Sequence, residues 1–251
     1  LPHVDIHVGW RHCVPADWTS LHQQEQGCNF VLLNPARRAF AEVPARLAWG
    51  RWLRAQMQAD FAALRMRAAR GYLPGWQHLP RPKRTVAVPT GLPRQLKLVT
   101  YQLDSLIALA QGVAKALRDQ GVRIAVQVLP FPEFATCQWR ATADMVVMGE
   151  VIDDDLAFGQ FSALAGDSML HQWLAPTQRA WLATACQGIA AEPDAGLRAQ
   201  RMEACFARLA RHGDFLPLSH TEQKFNHAPH LGGVQLARCG WMDFRSLWLQ
   251  A

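Results

Sequence analysis

Leu96-Lys97-Leu98-Val99-Thr100-Tyr101 and the segment behind it decide the fold. The six residues read as a strand. Leu103, Leu106, Ile107, Ala110, Val113, Ala114 and Leu117 then recur at three-and-four spacing, which places one apolar stripe along a helix. Gly121 closes that helix, because glycine adopts the left-handed turn that ends one. Val122, Ile124, Val126 and Val128 alternate, so the chain returns to a strand ending at Leu129. A Pro-bounded turn or short helix around Glu133–Trp139 leads to a third strand, Asp144-Met145-Val146-Val147-Met148-Gly149. Strand, helix, strand, helix, strand predicts a parallel sheet with right-handed crossovers.

Toward the N-terminus, Cys28-Asn29-Phe30-Val31-Leu32-Leu33-Asn34 is nearly all apolar, as a central strand covered on both faces requires, and Pro35 ends it. Val4-Asp5-Ile6-His7-Val8 alternates like a short strand, and a polar stretch bearing Trp and His runs from there to Gly27. Glu42 to Arg70 carries Leu47, Leu53, Met57, Phe61 and Leu64 near helical spacing, with Pro44 in the first turn and Gly71 as the stop. Gly71 to Pro93, rich in Pro and Gly, reads as a connector without regular structure. Toward the C-terminus, helices are expected over Leu156–Leu174, Thr177–Ala191 and Leu197–Arg211. A short extended piece follows at Phe215–Leu218, and then a tail. No internal repeat is visible.

Composition bounds the function. The chain has 251 residues, half of them hydrophobic and 18% charged, so it can bury a real core and is not disordered along most of its length. A formal charge of +6 is too weak alone to indicate nucleic-acid binding. No apolar run reaches the roughly 18 residues of a membrane span, and no membrane partner is expected. The chain starts at Leu1 without a charged-then-apolar leader, which predicts a processed product or a piece of something longer. Six cysteines contain no C-x-x-C pair, and several lie among apolar residues; they read as reduced, buried thiols of a cytoplasmic protein. Ten Trp against two Tyr is unusual. Most of those Trp belong in the core, with some available to line a cleft.

Catalytic signatures are sparse. The chain has no phosphate-binding G-x-x-x-x-G-K-[ST], no G-x-G-x-x-G, no H-E-x-x-H and no G-x-S-x-G. Gly166-Asp167-Ser168-Met169-Leu170 resembles a serine-esterase block, but it lies in a helical pattern where Asp167-Ser168 would cap or break a helix. His220, His227 and His230, with Cys239, match no zinc spacing and read as surface loop histidines. Arg46, Arg51, Arg54, Arg65, Arg67 and Arg70 crowd one segment and read as a solvated face rather than a DNA-binding one. The most informative cluster is Glu150-Val151-Ile152-Asp153-Asp154-Asp155. Ligands of parallel sheets sit beyond the carboxyl ends of the strands, where a carboxylate can take an amine, another cation or a sugar hydroxyl. Asp154 and Asp155 are accounted for as caps of the following helix, which leaves Glu150 as the ligand candidate.

Several motifs converge on a family. They are Glu25-Gln26-Gly27-Cys28-Asn29-Phe30-Val31-Leu32-Leu33, Gly71-Tyr72-Leu73-Pro74-Gly75-Trp76, the βα unit from Leu96, Ala143-Asp144-Met145-Val146-Val147 and the ending Gly240-Trp241-Met242-Asp243-Phe244-Arg245-Ser246-Leu247-Trp248. Over nearly its whole length the chain resembles the C-terminal part of the family 5 extracellular solute-binding proteins, in particular the branch of SgrR-type transcriptional regulators. The resemblance implies an α/β periplasmic-binding-protein-like lobe of type II, with a mixed, mostly parallel sheet flanked by helices and a helical C-terminal third. Residues 1–221 would form the second lobe, and 222–251 a tail returning to a first lobe. It implies an effector-binding region that closes like a clamp, without catalysis, cofactor or metal. The ligand would be a sugar phosphate or related metabolite, or a peptide, and DNA would be bound through an N-terminal winged-helix domain. The alternative is the ligand-binding component of a peptide or nickel ABC importer. In the transported-peptide branch a carboxylate just after the Ala-Asp strand pairs with the ligand's amino group, and Glu150 stands at that place. The candidate ligand-binding set is Glu150, Asp153, Gly149, Phe30, Asn34 and Trp139.

Overall fold

The crossover unit is present in the computed structural model of the chain, which describes residues 5–8, 14–83, 85–152, 155–237 and 239–249. In chain order the N-terminal part holds β1 (Ile6–Val8), β2 (Thr19–Gln24), β3 (Gly27–Leu33), α1 (Val43–Gln56), α2 (Gln58–Ala63) and β4 (Met66–Ala68). The crossover unit is β5 (Gln95–Tyr101), α3 (Asp104–Arg118), β6 (Arg123–Leu129), α4 (Phe131–Ala135) and β7 (Met145–Val151). The C-terminal part holds α5 (Leu156–Leu164), α6 (Met169–Trp173), α7 (Pro176–Ala190), α8 (Ala195–Arg211), β8 (Leu216–His227), β9 (Leu231–Gly232) and β10 (Trp248–Leu249).

β5 lies between β6 and β7 and pairs in parallel with both, as the strand–helix–strand rhythm predicts. The sheet continues β7-β3-β8 with antiparallel pairing, and β1, β2 and β4 also pair antiparallel with β8. The sheet is therefore mixed, and its parallel pairs are confined to the crossover unit. The chain enters β3 beside the carboxyl end of β7, so β3 must run against it. Alternation along β3 divides the core between the two faces. Val31 and Leu33 pack with α1 and α3 on one side; Phe30 and Leu32 pack with α5 to α8 on the other. Of the predicted stripe on α3, Leu106, Ala110, Val113, Ala114 and Leu117 are buried, Ile107 is half-buried and Leu103, just before the helix, is exposed.

Four expectations need correction. The helix expected to run from Glu42 to Arg70 stops at Ala63, because Arg65 takes a left-handed φ of 56° and turns the chain into β4, which pairs with β8. The helix expected over Leu156–Leu174 breaks in two: Ala165 is extended, and the Ser168 hydroxyl caps α6 by accepting from the His171 N–H at 3.1 Å. The short piece at Phe215–Leu218 is the start of a 12-residue strand that runs without a break across position 221. His220, expected in a surface loop, is buried in that strand, with Nδ1 at 2.6 Å from the Gly27 carbonyl.

The arginine segment also differs from a solvated face. Arg46 is buried against Asp214 at 2.8 Å, and donates as well to the carbonyls of Phe40 and Ala41. Arg54 is buried and donates to the Ala69 and Pro80 carbonyls. Cys28, Cys137, Cys186, Cys205 and Cys239 are free thiols, all but Cys137 buried; Cys13 lies outside the described residues. Among the described residues no helix is long and apolar enough to cross a membrane, and no cluster of His, Cys, Asp and Glu is placed to hold a metal.

Candidate functional site

The last residues of β7 carry the site. Glu150 sits opposite Cys28 in the β3–β7 ladder, one step before the chain leaves the sheet. Gly27, with φ 149°, makes that close pairing possible: a Cβ there would lie 2.0 Å from the Glu150 carbonyl oxygen. Behind the strand, the linker between β2 and β3 is tied to the same rim, since the Ile152 N–H donates to the Gln26 carbonyl.

Tyr72 donates its hydroxyl proton to Glu150 Oε2 at 2.8 Å. The Tyr72 ring stacks on Phe206 of α8 at 4.1 Å and meets Phe215 edge-on, so its hydroxyl is aimed by packing rather than by chance. Tyr101, at the end of β5, donates to the Gly149 carbonyl at 3.1 Å. Burial pushes the Glu150 carboxyl up to about 7, against the opposing pull of the Tyr72 hydrogen bond. Burial, and then the Glu150 charge, raise both tyrosines. Burial also raises Glu25, whose carboxylate accepts from Gln223 and which acts electrostatically on Tyr101 together with Glu150. No Lys, Arg or His bonds to Glu150 among the described residues.

In front of Glu150 lies a cavity of about 480 Å³. Tyr72, Glu150, Asp167 and Ser168 supply polar lining, and Ile152 and Phe158 apolar lining. Among the described residues the cavity has no basic lining residue. It can accept a positively charged or hydrogen-bond-donating group and would repel an anion.

The predicted set divides. Glu150 and Gly149 are at the rim, and Gly149 is held tightly: a Cβ there would lie 2.5 Å from Asn29 Oδ1. Asp153 lies outside the described residues. Asp155 caps α5, accepting from the Phe158 N–H, as expected. Phe30 is 1% exposed and packs on Phe215 in the core. Trp139 is also core, stacked on Phe134, with its indole N–H donated to the Phe134 carbonyl. Asn34 is at the opposite end of the sheet, beyond the pair Leu33–Met145, where it donates to the Ala143 carbonyl. Tyr72, Tyr101 and Glu25 were not in the set. One signal points to two of them: the chain has only two tyrosines, and both direct their hydroxyls at Gly149–Glu150.

No protein-family model matches the chain. It is similar to the Escherichia coli (strain K12) protein YbaE, itself uncharacterised, with 24% identity over 185 residues, 73% of this chain and 32% of YbaE. Among solved structures it superposes on NikA from Brucella suis, determined in complex with Fe(III)-EDTA, with a TM-score of 0.75, 14% identity, and coverage of 98% of this chain and 58% of NikA. The Escherichia coli murein tripeptide binding protein MppA gives 0.70 at 15% identity, over 94% of this chain and 50% of MppA. A dipeptide binding protein from Pseudoalteromonas sp. SM9913, in complex with Met-Leu, gives 0.68 at 16%, over 94% and 51%. The expected fold class holds: the chain has the α/β fold of the periplasmic-binding-protein-like solute-binding proteins, with a mixed sheet flanked by helices, although two parallel pairs against five antiparallel ones make that sheet mostly antiparallel rather than mostly parallel. The chain spans about a third of YbaE's length, and half or slightly more of the length of the solved neighbours.

Proposed function

We propose that the chain is one lobe of a two-lobed binding protein and holds a small ligand bearing an amino group at Glu150. The observation that carries this reading is a carboxyl poised near neutrality, aimed by Tyr72, facing a cavity, and lacking a cationic partner among the described residues. A protonated amine would supply the missing charge. Ligand contact with a second lobe would then favour the closed form and shift the population toward it. Short peptides fit this chemistry. A sugar phosphate does not fit at this position, because Glu150 and Asp167 line the cavity and no basic residue does. The solved neighbours include peptide-binding proteins, which supports a ligand-binding component of a peptide-type importer over a regulator. The role is binding without chemistry. In support, Ser168 is used as a helix cap, and the His171 ring bonds to the Leu164 carbonyl.

One observation favours the second reading, an effector-binding region of a cytoplasmic transcriptional regulator with DNA bound by an N-terminal domain. Five cysteines are free thiols and four of them are buried, which suits a reducing compartment. Cell fractionation of the full-length protein, with thiol counting after denaturation, separates the two readings.

The ligand class is tested on the full-length protein by differential scanning fluorimetry with di- and tripeptides and their N-acetylated forms. Free-amine peptides should raise Tm by mass action, and the acetylated forms should not. Glu150→Gln should abolish the shift. Equal shifts with acetylated peptides, or an unchanged shift in Glu150→Gln, would remove the carboxylate from the site.

A further inference from the structure

A second cavity, of about 450 Å³, opens at the other end of β7. Glu150 pairs with Cys28 and Met145 with Leu33, so the two ends are five residues apart on β7, roughly 16 Å along the strand. Arg37, Arg140 and Arg179 all line this cavity, and no carboxylate does. Arg37 is neutralised by Asp144 at 2.9 Å. Among the described residues, Arg140 and Arg179 have no carboxylate partner. Both donate to the same acceptor, the Gln172 carbonyl, and their remaining bonds go to Gln172 Oε1 and the Leu174 carbonyl. These carbonyls close the last turn of α6, where cations are favourable. Capping needs one cation, however, and here two guanidinium groups converge on one oxygen with no negative charge between them. Arg179 bonds through Nη2 alone, which leaves most of its five N–H donors for another partner.

One more positive feature faces the same space. The 15-residue α7 starts at Pro176 on the cavity wall with no side-chain cap and no acidic residue in its first turn. Trp173 also lines the cavity, with its unpartnered indole N–H buried behind the wall.

We infer that this cavity is an anion-binding site for a phosphate or phosphomonoester group, held between Arg140 and Arg179. Two guanidinium groups on separate elements need an acceptor with oxygens facing both. A phosphoryl group offers three, a carboxylate two. The site is separate from the Glu150 rim and does not depend on the amine reading.

The test is calorimetry and thermal denaturation of the full-length protein with inorganic phosphate, acetate and chloride at matched ionic strength. Phosphate should bind saturably and raise Tm, with acetate weaker and chloride inert. Arg179→Gln, on the exposed face of α7, should fold normally by circular dichroism and lose phosphate affinity by about tenfold or more. Arg140→Gln should do the same, and Glu150→Gln should leave phosphate binding unchanged. Equal effects of acetate or chloride, or undiminished phosphate binding in both arginine variants, would overturn the assignment.

Discussion

Asp214 is buried and Glu150 half-buried, and the surroundings of the two carboxyls are opposite. Asp214 stands between α8 and β8 with its carboxylate on Arg46 at 2.8 Å, the two side chains only 2% and 4% exposed. Glu150 stands at the rim of the same sheet with nothing stronger than a tyrosine hydroxyl. Burial raises both carboxyls, but at Asp214 the guanidinium opposes the rise, and at Glu150 only the hydrogen bond from Tyr72 does. A charge already compensated holds elements together. A charge left uncompensated beside a cavity is available to a ligand.

Breaking the compensated pair should produce the largest effect. Arg46→Ala leaves Asp214 buried and unpaired and should cost about 3–5 kcal/mol by urea denaturation. The burial-raised Asp214 carboxyl favours its protonated form in the fold, so the loss should deepen as pH rises above the ordinary aspartate range. A cost below about 1 kcal/mol would place Asp214 with the uncompensated class.

Glu150→Gln should move stability the other way. The folded carboxyl titrates near 7, above its ordinary 4.5. The fold therefore favours the protonated form: stability is full below about pH 4.5 and falls as pH rises through about 7. Replacement should make the lobe about 2 kcal/mol more stable than the parent at pH ~8, after allowing for partial solvent contact, and leave it equal at pH ~4. Denaturation curves at the two pH values check this; a difference independent of pH would mean that the carboxyl behaves as a surface group. Tyr72→Phe keeps the ring stack on Phe206 and removes only the hydroxyl. It should cost about 1 kcal/mol and push the Glu150 titration higher still, as read by carbon NMR of the carboxyl.

Regions where burial and periodicity coincide were legible in the sequence. The crossover unit from Leu96 to Gly149 and the stripe on α3 could be read because most of their apolar residues are buried, the strands on both faces of the sheet and the helix along one side. β2 was hidden for the opposite reason. Thr19-Ser20-Leu21-His22-Gln23-Gln24 is polar and half-exposed, and its strand form is imposed by six partners on β8. Beyond Leu218, β8 is concealed by Ser219, His220 and Asn226, polar residues whose burial follows from neighbours far away in sequence. Buried Arg46 and Arg54 could not be told from their exposed neighbours, because their acceptors are Asp214 and the carbonyls of distant loops. At the site, position after a strand pointed to Glu150. Phe30 and Trp139 were drawn in by proximity in sequence, although alternation and packing turn both inward.

β8 has one more consequence. Its first half is laced to β3 and β4 and its second half to β1 and β2, and the exchange of partners falls at Ser219–Glu222. β2 and β3 follow one another along the same flank, spliced by Glu25, whose N–H donates to the Thr221 carbonyl. The strand is thus clasped along its whole length: even at the exchange, Ser219, His220 and Thr221 pair with β4 and Glu222 with β2. Glu25 and Gln26 therefore join the seam of β8 to Ile152, so a displacement of β8 at that seam would carry to the Glu150 rim.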